Sequence, residues 1–158
     1  MNTFDAIVIG TGQAGPALAA RLAEAGQTVA VIEREKFGGT CVNDGCTPTK
    51  AMIASAYAAH LVRRAADYGV RLPGEPAVDF PALMARKDRI VADSSNGVEK
   101  WVERSARVYR GHARFTGPHS VAVNGETLVA GRIFLDVGGR PRVPEMPGLE
   151  EVPFLTNQ

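Results

Sequence analysis

The sequence predicts an α/β fold, in which helices flank a parallel sheet and a shorter antiparallel part follows. Three observations carry this prediction. Two short runs rich in isoleucine and valine, "FDAIVIG" (4–10) and "TVAVIE" (28–33), are typical of buried parallel strands. The segment between them has helical periodicity. After residue 105 the pattern changes to three short β-like runs, "RVYRGHARFTG", "SVAVNGETLVA" and "RIFLDVGG".

The first helix is predicted over residues 13–26. Leu18 and Leu22 lie on one helical face, Pro16 falls in the first turn, where proline is tolerated, and Gly26 ends the helix. Strand, helix and strand in this order predict a βαβ unit with a right-handed crossover.

Two more helices are predicted in the middle of the chain. One covers residues 50–69 and ends at Gly69, and a linker with two prolines follows over 70–78. The other covers 79–105, with Asp79 as its N-cap and Pro81 in its first turn, and Gly97 is a weak point inside it. Beyond it, "VNGET" indicates a hairpin. The β-like runs together predict a three-stranded antiparallel meander that leads back into a buried strand.

Composition excludes several classes of protein. At 158 residues the chain suits one domain, and 45% hydrophobic with 22% charged residues is ordinary for a globular protein. A net charge of +1 gives no basic surface for nucleic acid or a membrane. The apolar runs are too short to span a membrane, and no signal peptide is visible. We therefore expect a cytoplasmic protein, where paired cysteines are more often catalytic or metal-binding than structural.

The segment "GTGQAG" predicts a dinucleotide site. Its glycines form a G-x-G-x-x-G that follows a strand and opens a helix, and Glu33 closes the next strand. We expect Gly10 to form the tight turn, Gly12 to let a pyrophosphate approach the backbone, and Gly15 to let the helix pack on the strand. The helix N-terminus would bind the phosphates, and Glu33 the ribose hydroxyls of the adenosine. This motif alone does not distinguish NAD from FAD.

The only two cysteines, Cys41 and Cys46, lie in "GGTCVNDGCTPTK" (38–50). A structural zinc site needs further ligands, and the three histidines show no ligand spacing to the pair. Buried inert thiols are a second interpretation, although the surrounding residues are polar and small. Five residues along a regular helix separate Cα atoms by roughly 8.6 Å, and a disulfide needs less than about 7 Å. The pair could therefore form a disulfide only if "VNDG" departs from a regular helix.

The start of the following helix bears on cysteine chemistry. Thr47 and Pro48 are predicted as its N-cap and first-turn proline, which would place Cys46 just before the N-terminus. The helix dipole favours a thiolate at that position. These features favour a redox-active pair.

The cysteine loop resembles the active-site motif of the class I pyridine nucleotide-disulfide oxidoreductases, a family that includes glutathione reductase, dihydrolipoamide dehydrogenase and mercuric reductase. Three further segments resemble family segments in the same order: "AIVIGTGQAG", "GHARF" (111–115) and "IFLDVGGRPRVPEMPG" (133–148). The threonine-rich "GCTPTK" is most similar to mercuric-reductase-like members.

The resemblance implies a Rossmann-like FAD-binding domain, with FAD as the cofactor. It implies that Cys46 is the charge-transfer thiol beside the flavin, Cys41 the interchange thiol that meets substrate, and Lys50 the lysine near the reactive flavin nitrogen. The backbone of Ala113 would contact adenine. The segment "DVGG" replaces the family's "ATG", so only backbone contacts of Gly138 and Gly139 carry over. The full predicted cofactor-binding set is Gly10, Gly12, Gln13, Ala14, Gly15, Glu33, Arg34, Gly39, Thr40, Lys50, Ala113, Gly138 and Gly139, with no metal ligand.

Family members are longer than this sequence. The second glycine-rich motif, the "GD" segment and the "HP" motif of the family are not found here. Residues 1–145 are therefore expected to be the N-terminal part of an FAD-binding domain, which is incomplete, and 146–158 an exit segment towards an NAD(P)-binding domain. In the full-length enzyme, expected to be a homodimer, electrons would pass from NAD(P)H to FAD, to the Cys41–Cys46 disulfide and to a small-molecule or metal-ion substrate.

Two other functions are compatible with parts of the sequence. The sequence could encode a non-catalytic nucleotide-binding module whose dithiol senses redox state. It could also be a thioredoxin reductase, but that enzyme is expected to carry a C-x-x-C in its nicotinamide domain. The four-residue spacing between Cys41 and Cys46 argues against it.

Overall fold

The structure is a computed structural model that describes residues 1–157. Its strands are β1 (Asn2–Ile9), β2 (Val29–Glu33), β3 (Arg107–Arg110), β4 (Arg114–Gly117), β5 (Ser120–Val123) and β6 (Glu126–Leu135). Its helices are α1 (Gly15–Glu24), α2 (Gly39–Asn43), α3 (Cys46–Arg63) and α4 (Phe80–Ser105), and short 3₁₀ turns occupy Ala65–Tyr68 and Leu149–Glu151. The last residue of the predicted exit segment, Gln158, lies outside the described residues.

All six strands form one sheet in the order β3-β2-β1-β6-β5-β4. Strands β3, β2, β1 and β6 run parallel to one another. Strand β5 pairs antiparallel with β6 on one side and with β4 on the other. The predicted α/β class, with a parallel sheet and a three-stranded antiparallel part, is therefore confirmed. The carboxyl ends of the four parallel strands lie at one edge of the sheet, where ligands bind in open α/β folds.

Two strand assignments were wrong in detail. The segment "RVYR" was predicted in the meander, but it forms β3 and pairs in parallel with β2. The runs "TLVA" and "RIFL" were predicted as separate strands, but β6 continues through both. Gly131 does not interrupt β6, because Ala130 and Arg132 on either side of it both pair with β1. One strand thus belongs to both halves of the sheet.

The parallel strands are buried on both faces, because successive side chains point to opposite sides. Val8 and Val31 pack with α1 and α4 on one face. Ile7 and Ile32 pack on the other, with buried side chains of the antiparallel strands β5 and β6. The predicted hairpin is confirmed, since Asn124 and Gly125 both have positive φ, at 49° and 80°. Two positive φ values in a two-residue turn match the twist of the paired strands.

The helices differ from the prediction mainly at their ends. The helix predicted over 50–69 begins earlier, at Cys46, and ends at Arg63, with Gly69 closing the 3₁₀ turn instead. Helix α4 agrees closely with its prediction and runs through Gly97 without a break. Within residues 1–157, no helix has both the length and the hydropathy that a membrane crossing requires.

Replacing Asp79 by alanine is expected to lower the free energy of unfolding by about 1 kcal/mol. Asp79 caps α4, since its carboxylate accepts a hydrogen bond from the Ala82 backbone N–H at 2.9 Å. Urea unfolding of Asp79→Ala should show this loss. The matched variant Asp93→Ala removes an exposed aspartate from the middle of the same helix, and equal losses in the two variants would contradict a capping role.

Candidate functional site

The glycine loop joins β1 to α1 at the carboxyl edge of the sheet. Gly10 has φ +103°, and a Cβ there would lie 2.1 Å from the Asp136 carbonyl oxygen. A Cβ on Gly15 would lie 2.4 Å from the Gly10 carbonyl oxygen. The structure therefore shows the tight turn expected at Gly10 and the close packing of helix on strand expected at Gly15.

Glu33 lies beside this loop at the end of β2. One of its carboxylate oxygens accepts hydrogen bonds from the Thr11 backbone N–H at 2.9 Å and from the Thr11 hydroxyl at 2.6 Å. The other accepts from the backbone N–H of Glu35 at 2.9 Å. Thr11 is 1% exposed. The carboxylate predicted to bind ribose is thus fixed in orientation by a buried threonine inside the glycine motif, a role that the sequence alone does not indicate.

The cysteine loop lies directly against the glycine loop. The backbone N–H of Gly38 donates to the Thr11 carbonyl at 2.9 Å. A Cβ on Gly39 would lie 2.9 Å from the Cα of Gly12, so the two loops touch through glycine backbone. A ligand bound by the glycine motif would therefore lie close to the segment that carries the two cysteines.

Three hydrogen bonds from two helices fix the start of the cysteine loop. The carbonyl of buried Phe37 accepts from the Ser95 hydroxyl of α4 at 2.8 Å and from the Asn43 side-chain amide at 3.0 Å. Asn43 also donates to the Gly39 carbonyl at 2.9 Å. The Asn43 side chain thus bonds the first residue of its own helix, α2, and Ser95 links the loop to α4. Neither residue was identified from the sequence.

The segment between the cysteines departs from a regular helix, as a bridgeable pair requires. Helix α2 ends at Asn43, and Gly45 adopts φ −129° and ψ −110° before α3 begins. Gly45 is the N-cap and Cys46 the first helical residue, so Thr47 as N-cap was wrong. A Cβ on Gly45 would lie 3.0 Å from the Thr40 carbonyl oxygen, which explains why the break falls at a glycine.

The two cysteines are free thiols that contact each other. A hydrogen bond with the Cys46 side chain raises the pKa of the Cys41 thiol, and partial burial raises that pKa further. The positive charge of Lys50, one turn into α3, acts in the opposite direction on the same pKa. Cys46 is exposed and Cys41 is partly buried. The structure thus brings together the three residues predicted to be catalytic.

The other predicted cofactor residues lie along the same edge. Gln13 donates to the Gly38 carbonyl at 3.5 Å, Ala14 is the N-cap of α1, and Thr40 lies in α2. Gly138, with φ +68°, and Gly139 follow β6, the neighbour of β1. Ala113 follows β3 and packs against the core. Arg34 forms an ion pair with Glu35 at 3.0 Å. Their binding roles stay predictions.

Comparison with known proteins identifies the family. The family model described as pyridine nucleotide-disulphide oxidoreductase matches residues 4–157 of this chain. The chain belongs to this family. Pyridine nucleotide-disulphide oxidoreductases related to it bind FAD and use NAD(P)H. The predicted membership, which rested on the motifs alone, is confirmed.

The similar proteins include dihydrolipoyl dehydrogenases, mercuric reductases and a flavoprotein disulfide reductase. The chain is 34% identical to a dihydrolipoyl dehydrogenase of Acholeplasma laidlawii over 94% of its own length and 44% of the relative. It is 34% identical to a mercuric reductase of Lysinibacillus sphaericus, over 99% of its own length and 29% of the relative. A solved Cu(II) complex of RclA, an HOCl-induced flavoprotein disulfide reductase from Escherichia coli, matches with TM-score 0.73 and 32% identity, over 94% of this chain and 31% of RclA.

The chain thus spans less than half the length of these oxidoreductases. The matched residues 4–157 include the sheet edge described above, with the glycine loop, Glu33 and the two thiols. The start of α1 suits the anionic pyrophosphate of FAD, because the Gly15 N–H there donates to an anionic oxygen, that of the Asp136 carboxylate, at 2.7 Å.

Proposed function

We propose that this chain is the FAD-binding and dithiol-bearing part of an enzyme that uses NAD(P)H to reduce a small disulfide or a thiophilic metal ion. The observation that carries the proposal is the contact between the Cys41 and Cys46 thiols, in a loop held against the glycine motif. The break at Gly45 folds the segment before Cys46 back onto Cys41, since a Cβ on Gly45 would lie 3.3 Å from the Cys41 Cα. Residues so placed can cycle between dithiol and disulfide.

FAD, when bound, would carry two electrons between NAD(P)H and the cysteine pair. The glycine loop and the N-terminus of α1 would hold its pyrophosphate, and Glu33 its ribose. Gly39 and Thr40 would lie along the pyrophosphate and flavin. Lys50 is exposed on the first turns of α3, where its ammonium group can stabilise a thiolate in the loop.

The chemical step that belongs to the cysteines is thiol–disulfide exchange. The Cys41 thiolate would attack one sulfur of the substrate disulfide and release the other as a thiol after protonation. Cys46 would then attack Cys41 in the mixed disulfide, which frees the second substrate thiol and leaves the Cys41–Cys46 disulfide. The substrate gains two electrons and two protons, and the protein loses the same number. For a metal ion, the pair would bind it as thiolates.

The working enzyme is proposed to be longer than this chain and to form a homodimer. Helix α3 supports this, because apolar side chains four residues apart remain on its outer side: Ile53 and Tyr57 are 60% and 61% exposed, and Leu61 follows. Further chain or a second subunit would bury this stripe. A reducing compartment such as the cytoplasm suits a pair that must be reduced in every cycle.

The redox role is tested on the 158-residue chain itself. Diamide oxidation is expected to remove both titratable thiols and two hydrogen atoms from the mass, without forming a covalent dimer. Cys41→Ser and Cys46→Ser should each retain one thiol or form intermolecular disulfides. Wild-type chain that keeps two thiols or forms mainly covalent dimers would contradict a redox pair. By itself the chain is expected to bind FAD weakly or not at all, and to oxidise no NADPH in the presence of lipoamide, glutathione disulfide or Hg(II).

A further inference from the structure

Asp136 places a negative charge against the glycine loop. It is the first residue after β6, and its backbone N–H donates to the carbonyl of Ile9 at 2.8 Å. Its carboxylate accepts a hydrogen bond from the backbone N–H of Gly15 at 2.7 Å. The same carboxylate oxygen lies 3.0 Å from the position that a Cβ of Gly12 would occupy. Asp136 therefore lies against all three glycines of the motif, with its carbonyl oxygen at Gly10 and its carboxylate at Gly12 and Gly15.

The carboxylate substitutes for a local helix cap. The N-cap position of α1 is Ala14, which has no side-chain cap, and the first turn of α1 contains no acidic residue. A carboxylate is stabilising at a helix N-terminus, where backbone N–H groups and the helix dipole favour negative charge. Asp136 provides that charge from 121 residues away in the sequence. Within residues 1–157 it forms no ion pair, so no cation neutralises it.

The position of this charge has a consequence for ligand binding. The glycine side of a dinucleotide motif is where the backbone lets a pyrophosphate approach, and the helix N-terminus is what attracts it. The carboxylate of Asp136 already lies at this helix N-terminus as a fixed negative charge. A pyrophosphate bound at the same helix end would be repelled by this carboxylate.

We propose that Asp136 is an internal anion that stabilises the ligand-free glycine loop and weakens the binding of the nucleotide's pyrophosphate. It acts as a positioning residue that sets nucleotide affinity. This inference rests on the proposed FAD site. It predicts opposite effects of removing the charge: a less stable free chain and a tighter nucleotide complex. If the role of Asp136 were purely structural, removing its charge would lower both the stability of the free chain and the affinity for nucleotide.

The test compares ADP and FAD binding by calorimetry, at low salt, for the 158-residue chain and Asp136→Asn. The asparagine retains an oxygen that can accept from the Gly15 N–H, but not the charge. We expect Asp136→Asn to bind ADP about threefold to tenfold more tightly, as expected for one like charge a few ångströms away at a partly solvated site. Its thermal midpoint without ligand should fall.

Asp67→Asn is the matched control, because it changes net charge equally at an exposed ion pair with Arg64, in the 3₁₀ turn after α3. If Asp136→Asn bound ADP no more tightly than Asp67→Asn did, the inference about Asp136 would be overturned and the nucleotide site would stand. If neither the wild-type chain nor any variant bound ADP, the nucleotide site itself would be refuted, and the inference with it.

Discussion

Gly10→Ala is expected to lower the free energy of unfolding by about 3 to 5 kcal/mol, a large share of a typical domain's stability. Two effects add at this position. Gly10 has φ +103°, a conformation that residues with a side chain rarely adopt. The added Cβ would also lie 2.1 Å from the Asp136 carbonyl oxygen, so β1 and the end of β6 would have to separate. Urea unfolding measures the loss.

Two other glycines separate these effects. Gly26 has φ +78° but open space where its Cβ would be, so Gly26→Ala should cost only the conformational strain, about 1 to 2 kcal/mol. Gly97 lies in the interior of α4, also with open space, and Gly97→Ala should stabilise the chain by up to about 1 kcal/mol. If Gly10→Ala cost no more than Gly26→Ala, the close packing at the loop would not be what requires glycine there.

Cys46→Ala is expected to make Cys41 react several-fold faster with iodoacetamide at pH 8. The hydrogen bond with Cys46 is the largest cause of the raised pKa of Cys41. Its removal lowers that pKa, so a larger fraction of Cys41 is thiolate at a pH below it, and the thiolate is the form that reacts. Initial rates of Cys41 alkylation, followed by peptide mass spectrometry between pH 7 and 10, measure the effect.

Two further variants define the cause. Cys46→Ser keeps a hydroxyl that can form the hydrogen bond and should give an intermediate rate. Lys50→Met removes a charge that lowers the pKa of Cys41, so Cys41 should then react more slowly than in the wild type. Unchanged Cys41 rates in Cys46→Ala would show that the thiols do not interact in solution.

The same shift links the reduced chain's stability to pH. Folding raises the pKa of Cys41 above its ordinary value of 9.0, so the folded chain holds this proton more tightly than the unfolded chain does. The contribution of Cys41 to stability is therefore fully present below pH 9.0. It is lost as the pH rises from there through the raised pKa of the folded state.

Local patterns predicted the parallel core of this fold well. The apolar runs that became β1 and β2, the proline in the first turn of α1 and the Asp79 cap of α4 are properties of neighbouring residues. The errors lie where pairing partners are distant in sequence. Strand β3 has the same local pattern as a meander strand, and only its parallel pairing with β2 decides its place. Nothing local shows that β6 continues past Gly131.

In the candidate site, too, local motifs were predicted and contacts between distant residues were missed. Motif spacing predicted the glycine loop, Glu33 and the cysteine pair as one region, and the structure brings them together. Thr11, Ser95 and Asp136 were missed, because each acts through a partner that is distant in sequence: Thr11 on Glu33, Ser95 on Phe37, and Asp136 on Gly15. Their residue types are unremarkable in local sequence, and only the folded chain shows what they bind.

The continuous strand β6 has a consequence for synthesis of the protein on the ribosome. One side of β1 pairs with β2, but its other side pairs with β6, with Asn2 opposite Leu128. Until that distant segment has left the exit tunnel, one side of β1 is unpaired. The sheet that holds the cysteine loop is then incomplete. Contacts so far apart in sequence form slowly, and open strand edges invite aggregation. The nascent chain therefore carries both thiols before the sheet that positions them is complete.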